Sequence, residues 1–322
     1  MRIVVTGSSG HLGEALVRVL SAEHDVVGLD ILASPQTDVV ASVTDGDAVR
    51  AAMAGAGAVL HTATLHKPHV GTHSRLAFVQ TNVAGTLAVL EQAVAAGVGR
   101  VVMTSTTSAY GRALTRPGAA TWIDEDVRPL PRNVYGVTKT AAEDLCELVA
   151  RDTGLPVVVL RTSRFFPEVD DRDDVRAAYG TDNTQVNELL SRRVDLEDVV
   201  AAHRCAMDRA PQLGFARYVV SATTPFTRDD LAELLLDAPA VLRRRVPGSA
   251  EHYGRLGWHM FPFVDRVYDA ARARAELGWA PRWDHAYALE QLAAGRAPRS
   301  ELAQLVGAKG YHDVSTGPYT SR

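Results

Sequence analysis

The chain has 322 residues, 46% of them hydrophobic, and a formal net charge of −4, which suits one large or two small globular domains. Nucleic-acid binding needs a concentrated positive field, and three consecutive arginines at 243–245 form the single basic run, so we expect no nucleic-acid partner. No apolar run approaches the ~18 residues of a membrane span, and no signal-peptide pattern opens the chain. We therefore expect a cytoplasmic protein without a membrane partner. Cys146 and Cys205 lack metal-ligand spacing, so no metal site is expected.

Short β-branched runs alternate with longer amphipathic stretches over the first two-thirds of the chain. The runs predict strands at residues 2–6, 25–30, 58–62, 100–104 and 156–161. The stretches between them predict helices at 11–22, 45–54, 74–96 and 135–153. Nearly continuous apolar runs are typical of parallel strands that are buried on both faces. This order predicts an α/β fold, a doubly wound parallel sheet.

The regular alternation of predicted strands and helices ends after residue 161. Residues 164–190 are polar and predict a loop or lid with little regular structure, followed by a helix at 195–209 and a strand at 217–221. Shorter helices are predicted at 227–236, 267–277 and 286–294, and the tail from 297 is expected to be loosely structured. Prolines and aromatic residues interrupt these pieces. The short predicted helices together indicate a small, mostly helical C-terminal lobe.

A glycine-rich turn joins the first predicted strand to the first helix. Gly7, Gly10 and Gly13 allow a tight turn and let a pyrophosphate approach backbone N–H groups at a helix N-terminus. Asp30 ends the next strand, where a carboxylate accepts a hydrogen bond from a ribose 2′-hydroxyl and repels a 2′-phosphate. The strand, turn, helix and acidic residue together predict NAD as cofactor, in preference to NADP.

Tyr135 and Lys139 lie four residues apart, on one face of a predicted helix. A phenol is a poor base at neutral pH, but a nearby ammonium and a positive nicotinamide favour the phenolate. The hydroxyl of Thr106, at the end of a strand, can hold a substrate oxygen beside Tyr135. These three residues are the predicted catalytic set for hydride transfer at a carbinol or ketone carbon.

Several further segments match known motifs, and the sequence resembles an extended short-chain dehydrogenase/reductase of the NAD-dependent epimerase/dehydratase family. The resemblance covers roughly residues 1–209. The matching segments are Val59-Leu60-His61-Thr62-Ala63-Thr64, Thr81-Asn82-Val83-Ala84-Gly85-Thr86, Thr104-Ser105-Thr106-Thr107-Ser108-Ala109-Tyr110-Gly111, Val194-Asp195-Leu196-Glu197-Asp198-Val199-Val200 and, more weakly, Leu277-Gly278-Trp279-Ala280-Pro281.

The resemblance implies roles for individual positions. It favours Thr106 over Thr107 as the catalytic Ser/Thr, places Asn82 beneath the nicotinamide, and implies a homodimer through helices 74–96 and 135–153. The expected substrate-binding residues are Thr106, Thr107, Arg164 and Asn187. The expected cofactor-binding residues are Gly7, Ser9, Gly10, His11, Leu12, Gly13, Asp30, Ile31, Ser42, Val43, Thr62, Ala63, Thr64, Asn82, Thr104, Tyr135, Lys139 and Thr162. Residues 1–165 and about 191–222 would form the NAD-binding domain, and about 166–190 and 223–322 the substrate lobe and tail.

Three departures from the family pattern bear on the substrate. Family dehydratases carry an acidic pair where Thr107 and Ser108 stand, so a 4,6-dehydratase is not expected. Nucleotide-sugar epimerases usually carry Asn three residues after the Leu-Arg pair of a strand, where this chain has Arg164. The short stretch between Pro167 and Arg192 leaves little room for the strand that cradles a nucleotide base.

Three functions stay open from the sequence. The first is a sugar or nucleotide-sugar epimerase, in which the ketone is reduced again on its other face. The second is a net dehydrogenase or ketoreductase of a smaller polyol or natural-product intermediate, towards which the shortened nucleotide site points. The third is a non-catalytic NAD-binding module, against which the intact catalytic set argues.

Overall fold

A computed structural model describes residues 1–168, 170 and 173–309, and its centre is a parallel β-sheet. The strands in chain order are β1 Arg2–Thr6, β2 Asp25–Asp30, β3 Val39–Val40, β4 Ala58–His61, β5 Val101–Thr106, β6 Thr121–Ile123, β7 Val157–Thr162, β8 Phe215–Val220 and β9 Arg266–Tyr268. Seven of them form one sheet in the order β3-β2-β1-β4-β5-β7-β8, and β6 pairs with β9 in a second, two-stranded sheet. The predicted doubly wound Rossmann-type sheet is confirmed.

The helices cover both faces of the large sheet and build the small lobe. In chain order they are α1 His11–Leu20, α2 Gly46–Ala52, α3 Arg75–Phe78, α4 Gly85–Ala95, α5 Val134–Thr153, α6 Asp173–Ala178, α7 Thr181–Leu189, α8 Leu196–Leu213, α9 Leu231–Leu234, α10 Ala238–Arg245, α11 Ser249–Leu256, α12 Ala271–Leu277, α13 His285–Ala293 and α14 Glu301–Val306. Residues of α1, α8, α12 and α14 share one core cluster with the sheet, whereas α2, α4 and α5 contribute to the other.

Strand β7 shows why the sheet is buried on both sides. All six of its residues are buried, and side chains alternate between the faces of a strand. Val158 and Leu160 accordingly belong to the core under α1 and α8, and Val157 and Val159 to the core under α4 and α5. A continuous apolar run is therefore needed to fill both layers.

The predicted helix at 74–96 is interrupted. It consists of α3, a π-helical turn at Val79–Ala84, and α4. The interruption brings Asn82 into contact with Thr64 and Leu65 in the loop after β4. Helical periodicity continues through such a turn, which explains why the sequence pattern did not reveal it.

The predicted loop at 164–190 is wrong for much of its length, because α6 and α7 lie within it. Helix α7 is buried although its sequence is polar, since Asn183 and Asn187 each donate a side-chain N–H to the carbonyl oxygen of His259. That partner is distant in sequence. Periodicity of residues 164–190 alone therefore gives no sign of the burial.

Two predictions for the C-terminal part need correction. The predicted helix at 267–277 begins as strand β9 and becomes helical only in α12. The tail from 297 contains α14, capped by Ser300, whose backbone N–H also donates to Asp195; residues 310–322 lie outside the described residues. The three arginines at 243–245 form the last turn of α10, and Arg244 and Arg245 pair with Asp230.

Residues of α7, α9, α10, α11 and α13 form a separate core in the small lobe. The predicted division into an NAD-binding domain and a substrate lobe stays a proposal. Within the described residues, no helix is both long and apolar enough to cross a membrane.

Candidate active site

A cavity of about 1040 Å³ lies at the carboxyl ends of the strands. It opens between the parallel strands β1 and β4, where the strand order of the sheet reverses, and ligands bind in this crevice in open α/β sheets. The turn after β1 lines one end. Residues that follow β7, together with Arg266 and Tyr268 of β9, line the other.

The glycines after β1 serve two different purposes. Gly7 has φ +76°, and a Cβ on Gly13 would lie 1.9 Å from the Gly7 carbonyl oxygen, so these two positions need glycine for the fold. A Cβ on Gly10 would come no closer than 3.3 Å to that oxygen. Gly10 lines the cavity and is exposed. This open space at the N-terminus of α1 fits a pyrophosphate.

Asp30 lines the same end of the cavity and also holds the glycine turn. Its carboxylate accepts hydrogen bonds from the backbone N–H groups of Ser9 and Leu32, both at 2.9 Å. A carboxylate has about four acceptor positions, so two contacts leave capacity for a ribose hydroxyl. Ser9 itself does not line the cavity, and acts on the site through Asp30.

Tyr135 and Thr106 both line the cavity. Asn133 caps α5 by accepting a hydrogen bond from the Gly136 N–H at 3.0 Å, which fixes Tyr135 in the first turn of the helix. The Thr106 side chain lies beside the Tyr135 phenol and acts to lower its pKa. Lys139 is buried one turn later, where its Nζ donates to the Thr104 carbonyl oxygen at 2.7 Å.

Burial dominates the protonation of this pair. It raises the pKa of Tyr135 to about 12, against the opposing effect of the Thr106 side chain. Burial also lowers the pKa of Lys139 to about 8, and the Glu143 carboxylate opposes that change. The expected lowering of the Tyr135 pKa by Lys139 is therefore wrong for the protein alone. Bound NAD in its oxidised form would supply the hydride acceptor and a positive charge that favours the phenolate.

Asn82 supports the cavity wall from behind. Its Oδ1 accepts from Thr64 Oγ1 at 2.9 Å and from the Leu65 N–H at 2.8 Å, while its Nδ2 donates to Leu65 O at 2.8 Å and Thr138 Oγ1 at 3.0 Å. Asn82 does not line the cavity. It joins the loop after β4 to helix α5, one turn from Tyr135.

Asn187 is the predicted substrate residue that the structure does not bring to the cavity. It is fully buried in α7, where its Nδ2 donates to His259 O at 2.8 Å and its Oδ1 accepts from the Tyr253 hydroxyl at 2.6 Å. Both ends of the amide thus have partners inside the small lobe. A role in substrate contact is not supported by this placement.

Most of the other predicted residues do line the cavity. On the substrate side they are Thr106, Thr107 and Arg164. On the cofactor side they are Gly7, Gly10, His11, Leu12, Gly13, Asp30, Ile31, Ser42, Val43, Thr62, Ala63, Thr64, Thr104, Tyr135 and Thr162. The roles of these residues stay proposals.

Sequence reasoning missed part of the wall, because these residues come from short segments brought together by the fold. They include Ser163, Phe165, Phe166, Glu168, Glu188, Arg192, Arg266 and Tyr268. The alternation of Arg266, Val267 and Tyr268 was the available signal for a short strand, but it is too brief to stand out.

Comparison with known proteins identifies a family and a solved structure that are similar to this chain. The model of the family described as "NAD dependent epimerase/dehydratase family" matches residues 3–214. The chain belongs to this family. A short-chain dehydrogenase/reductase superfamily protein from Agrobacterium tumefaciens, solved with bound NAD, is 26% identical, with a TM-score of 0.64 and coverage of 91% of this chain and 96% of that one.

Curated relatives of the family span different reactions. L-arabinose 1-dehydrogenase (NAD(P)(+)) of Haloferax volcanii is 34% identical over 169 residues, or 50% of this chain and 65% of that one. dTDP-glucose 4,6-dehydratase of Streptomyces niveus is 29% identical over 314 residues, or 88% of each. The protein is an NAD-dependent oxidoreductase of the epimerase/dehydratase family.

Proposed function

We propose that the protein oxidises a secondary alcohol of a small sugar-like substrate that carries no nucleotide, with NAD as the acceptor. The observation that carries this proposal is that Tyr135 and Thr106 line the same cavity, while the bond from Lys139 to Thr104 O joins the helix of Tyr135 to the strand of Thr106. It provides an acid–base group and a second hydroxyl side by side at the wall of one cavity.

Each residue has a defined part in the reaction. Thr106 holds the substrate hydroxyl, and Tyr135 removes its proton as the C–O bond becomes a carbonyl. The carbinol carbon gives up its hydrogen as hydride, so the products are a ketone or lactone, NADH and one proton. Lys139 keeps positive charge near Tyr135 while its own bond to Thr104 O fixes its position.

Two observations support a small substrate. The chain between Pro167 and Arg192 contains α6 and α7, and buried side chains of α7 pack in the small lobe. The sugar named for the Haloferax relative is a free pentose. The shortened segment thus favours dehydrogenation of a free sugar over the nucleotide-sugar epimerisation that led the sequence-based hypotheses.

Dehydration is a weaker candidate on the same residues. Thr107 and Ser108 occupy the positions where family dehydratases carry their acidic pair, and both hydroxyls line the cavity. The aliphatic hydroxyls of Thr107 and Ser108 are much weaker acids and bases than the carboxyl groups that they replace. The dehydratase relatives therefore share the family and the overall fold, but their elimination step lacks its expected groups here.

Epimerisation remains the second candidate, because one contact favours retention of the cofactor. Glu168 lies across the glycine turn, with its Oε1 2.7 Å from His11 Nε2, and it accepts the backbone N–H of Lys309 at 3.0 Å. Lys309 also pairs with Glu14 of α1. A cofactor enclosed in this way suits a cycle that restores NAD at each turnover.

One assay separates the two reactions. The protein is incubated with NAD and a panel of aldoses, polyols and uronic acids, and NADH is followed at 340 nm while products are resolved by chromatography. Dehydrogenation gives one NADH per product molecule. An isomerised product without NADH would support the epimerase and overturn the proposed net oxidation.

We also propose a homodimer formed by α4 and α5. Leu76, Val79 and Val94 are exposed along α3, the π-helical turn and α4, and Val137 and Leu148 are exposed on α5. Exposed apolar side chains aligned on neighbouring helices are typical of a subunit interface. Sedimentation should give a dimer for the wild type and a monomer for Val137→Asp. A monomeric wild type would refute the interface.

A further inference from the structure

Three segments of chain meet side by side at the substrate end of the cavity. The Arg164 N–H donates to Arg192 O at 3.3 Å, and the Tyr268 N–H donates to Ser191 O at 2.9 Å. The chain after β7, the chain after α7 and strand β9 are thereby placed next to one another. Arg164, Arg192 and Arg266 consequently line the same end of the cavity.

Strand β9 presents Arg266 to the cavity because of its alternation. Arg266 and Tyr268 line the cavity, whereas Val267 between them is fully buried in the core of the small lobe. Nε of Arg266 donates to Asp265 Oδ1 at 2.9 Å, and the Tyr268 side chain also interacts with the guanidinium. A guanidinium has five N–H donors in a planar fork, so these contacts orient it without using all of them.

Arg192 is oriented by an aromatic ring and a shared carboxylate. Its guanidinium carbon lies 5.7 Å from the centre of the Phe261 ring, and its Nη2 is 3.3 Å from Glu188 Oε1. The same buried carboxylate pairs with Arg193 at 2.8 Å and Arg164 at 3.2 Å. Three guanidinium groups therefore share the Glu188 carboxylate. They hold its pKa at about 2, so it keeps its negative charge.

A buried hydroxyl supplies independent evidence for a ligand at this end. Ser163 is 3% exposed and lines the cavity, and its Oγ has no hydrogen-bond partner in the described part of the chain. Buried polar atoms are almost always paired, so this hydroxyl leaves one hydrogen bond for a ligand or a water molecule to make. Ser163 directly precedes Arg164, one of the arginines of this end.

We propose that Arg192 and Arg266, with Ser163, form an anion subsite that binds a carboxylate or phosphate group of the substrate. Guanidinium groups bind both anions in bidentate geometry, and charge-assisted hydrogen bonds are stronger than neutral ones. The other carboxylates at this end are already paired, Glu168 with His11 and Asp170 with Arg164. The proposal rests on the proposed function: it makes the substrate a sugar-like alcohol with an acidic group.

The test uses three probes that differ in one group: D-galactose, D-galacturonate and D-galactose 6-phosphate. Their binding to the protein saturated with NADH is measured by calorimetry for the wild type, Arg192→Leu and Arg266→Leu. We expect one anionic probe to bind the wild type about 10- to 100-fold more tightly than galactose, the range of one or two charged hydrogen bonds. Each substitution should remove most of that difference and weaken galactose binding much less than it weakens binding of the anionic probe.

The controls keep the result interpretable. Arg243→Leu removes an exposed arginine of α10 outside the cavity and should not change anion binding. Arg266→Lys retains the charge and should retain part of the preference. Anionic probes that bind the wild type no better than galactose, or as well to Arg192→Leu and Arg266→Leu as to Arg243→Leu, would overturn the subsite.

Binding and turnover together separate this proposal from the proposed function. Arginine-dependent anion binding without NADH formation from any probe would keep the subsite and refute the oxidation. NADH formed from galactose as fast as from both acids would keep the oxidation and refute the subsite. The preference between galacturonate and the phosphate ester identifies which anion the subsite accepts.

Discussion

Nζ of Lys139 donates a 2.7 Å hydrogen bond to the backbone carbonyl oxygen of Thr104, two residues before Thr106 on strand β5. This bond joins helix α5 to the strand that carries Thr106. Tyr135 lies one helical turn before Lys139, so the same contact fixes the separation of the two hydroxyl groups that line the cavity. Lys139 thus has a structural part in the site as well as an electrostatic one.

The pKa of Lys139 predicts how the rate depends on pH. Burial lowers this pKa from 10.5 to about 8, so the side chain is charged below pH 8 and neutral above it. In the complex with oxidised NAD, the Lys139 ammonium would add to the positive charge that favours the Tyr135 phenolate, so kcat/KM should fall above about pH 8. Initial rates between pH 6 and pH 10 check this, and a rate that keeps rising through pH 9.5 would exclude the charged lysine from the mechanism.

Substitutions in the glycine turn should separate binding from folding. Gly10→Val directs its side chain into the cavity above α1, so we expect NAD affinity to fall at least about tenfold, with a smaller change in the melting temperature than Gly13→Ala causes. Gly13→Ala is the contrasting variant, because its Cβ would lie 1.9 Å from Gly7 O. It should destabilise the fold itself. Unchanged NAD affinity in Gly10→Val would mean that the pyrophosphate binds elsewhere.

Asp30 should determine the choice between NAD and NADP. Asp30→Ala removes the acceptor for a ribose hydroxyl together with the charge that repels a 2′-phosphate, so NAD should bind about tenfold more weakly while NADP does not. Fluorescence titration of both cofactors measures the ratio. Because Asp30 also holds the Ser9 and Leu32 N–H groups, an equal loss for both cofactors would indicate a damaged turn and no ribose contact.

A buried ion pair behind the site should be costly to break. Glu143 is 1% exposed and accepts hydrogen bonds from Arg161 Nη2 at 2.7 Å and Ser105 Oγ at 2.5 Å. Glu143→Ala leaves the buried Arg161 guanidinium without its carboxylate, so the free energy of unfolding should fall by about 3–5 kcal/mol. Urea denaturation checks this value. The double variant Glu143→Met/Arg161→Met should recover much of the loss, and an equal loss in both would refute the explanation.

The sequence predicts those parts of the fold whose causes are local. Strands β1 and β2 have the predicted bounds, because their apolar runs must fill both layers of a parallel sheet. Helix α5 begins one residue before the predicted start. The glycine turn and Asp30 are likewise predictable from the sequence, because each requires one residue type at one position.

The parts that the sequence does not reveal depend on partners distant in the chain. Helix α7 is buried because Asn183 and Asn187 meet the carbonyl of His259, and Arg266 reaches the cavity because β9 pairs with β6. The high pKa of Tyr135 has a similar origin, since it arises from the whole wall that buries the phenol. The spacing of residues along the sequence therefore does not predict these contacts.

The most direct test of the proposed mechanism compares the wild type with Tyr135→Phe in the NADH assay, using the best substrate of the sugar panel. NAD affinity, measured by calorimetry, and the melting temperature serve as controls for the fold. We expect Tyr135→Phe to bind NAD normally and to lose at least about 100-fold in kcat, because the phenol is the group that moves the proton. A variant that forms NADH at near the wild-type rate would contradict the mechanism.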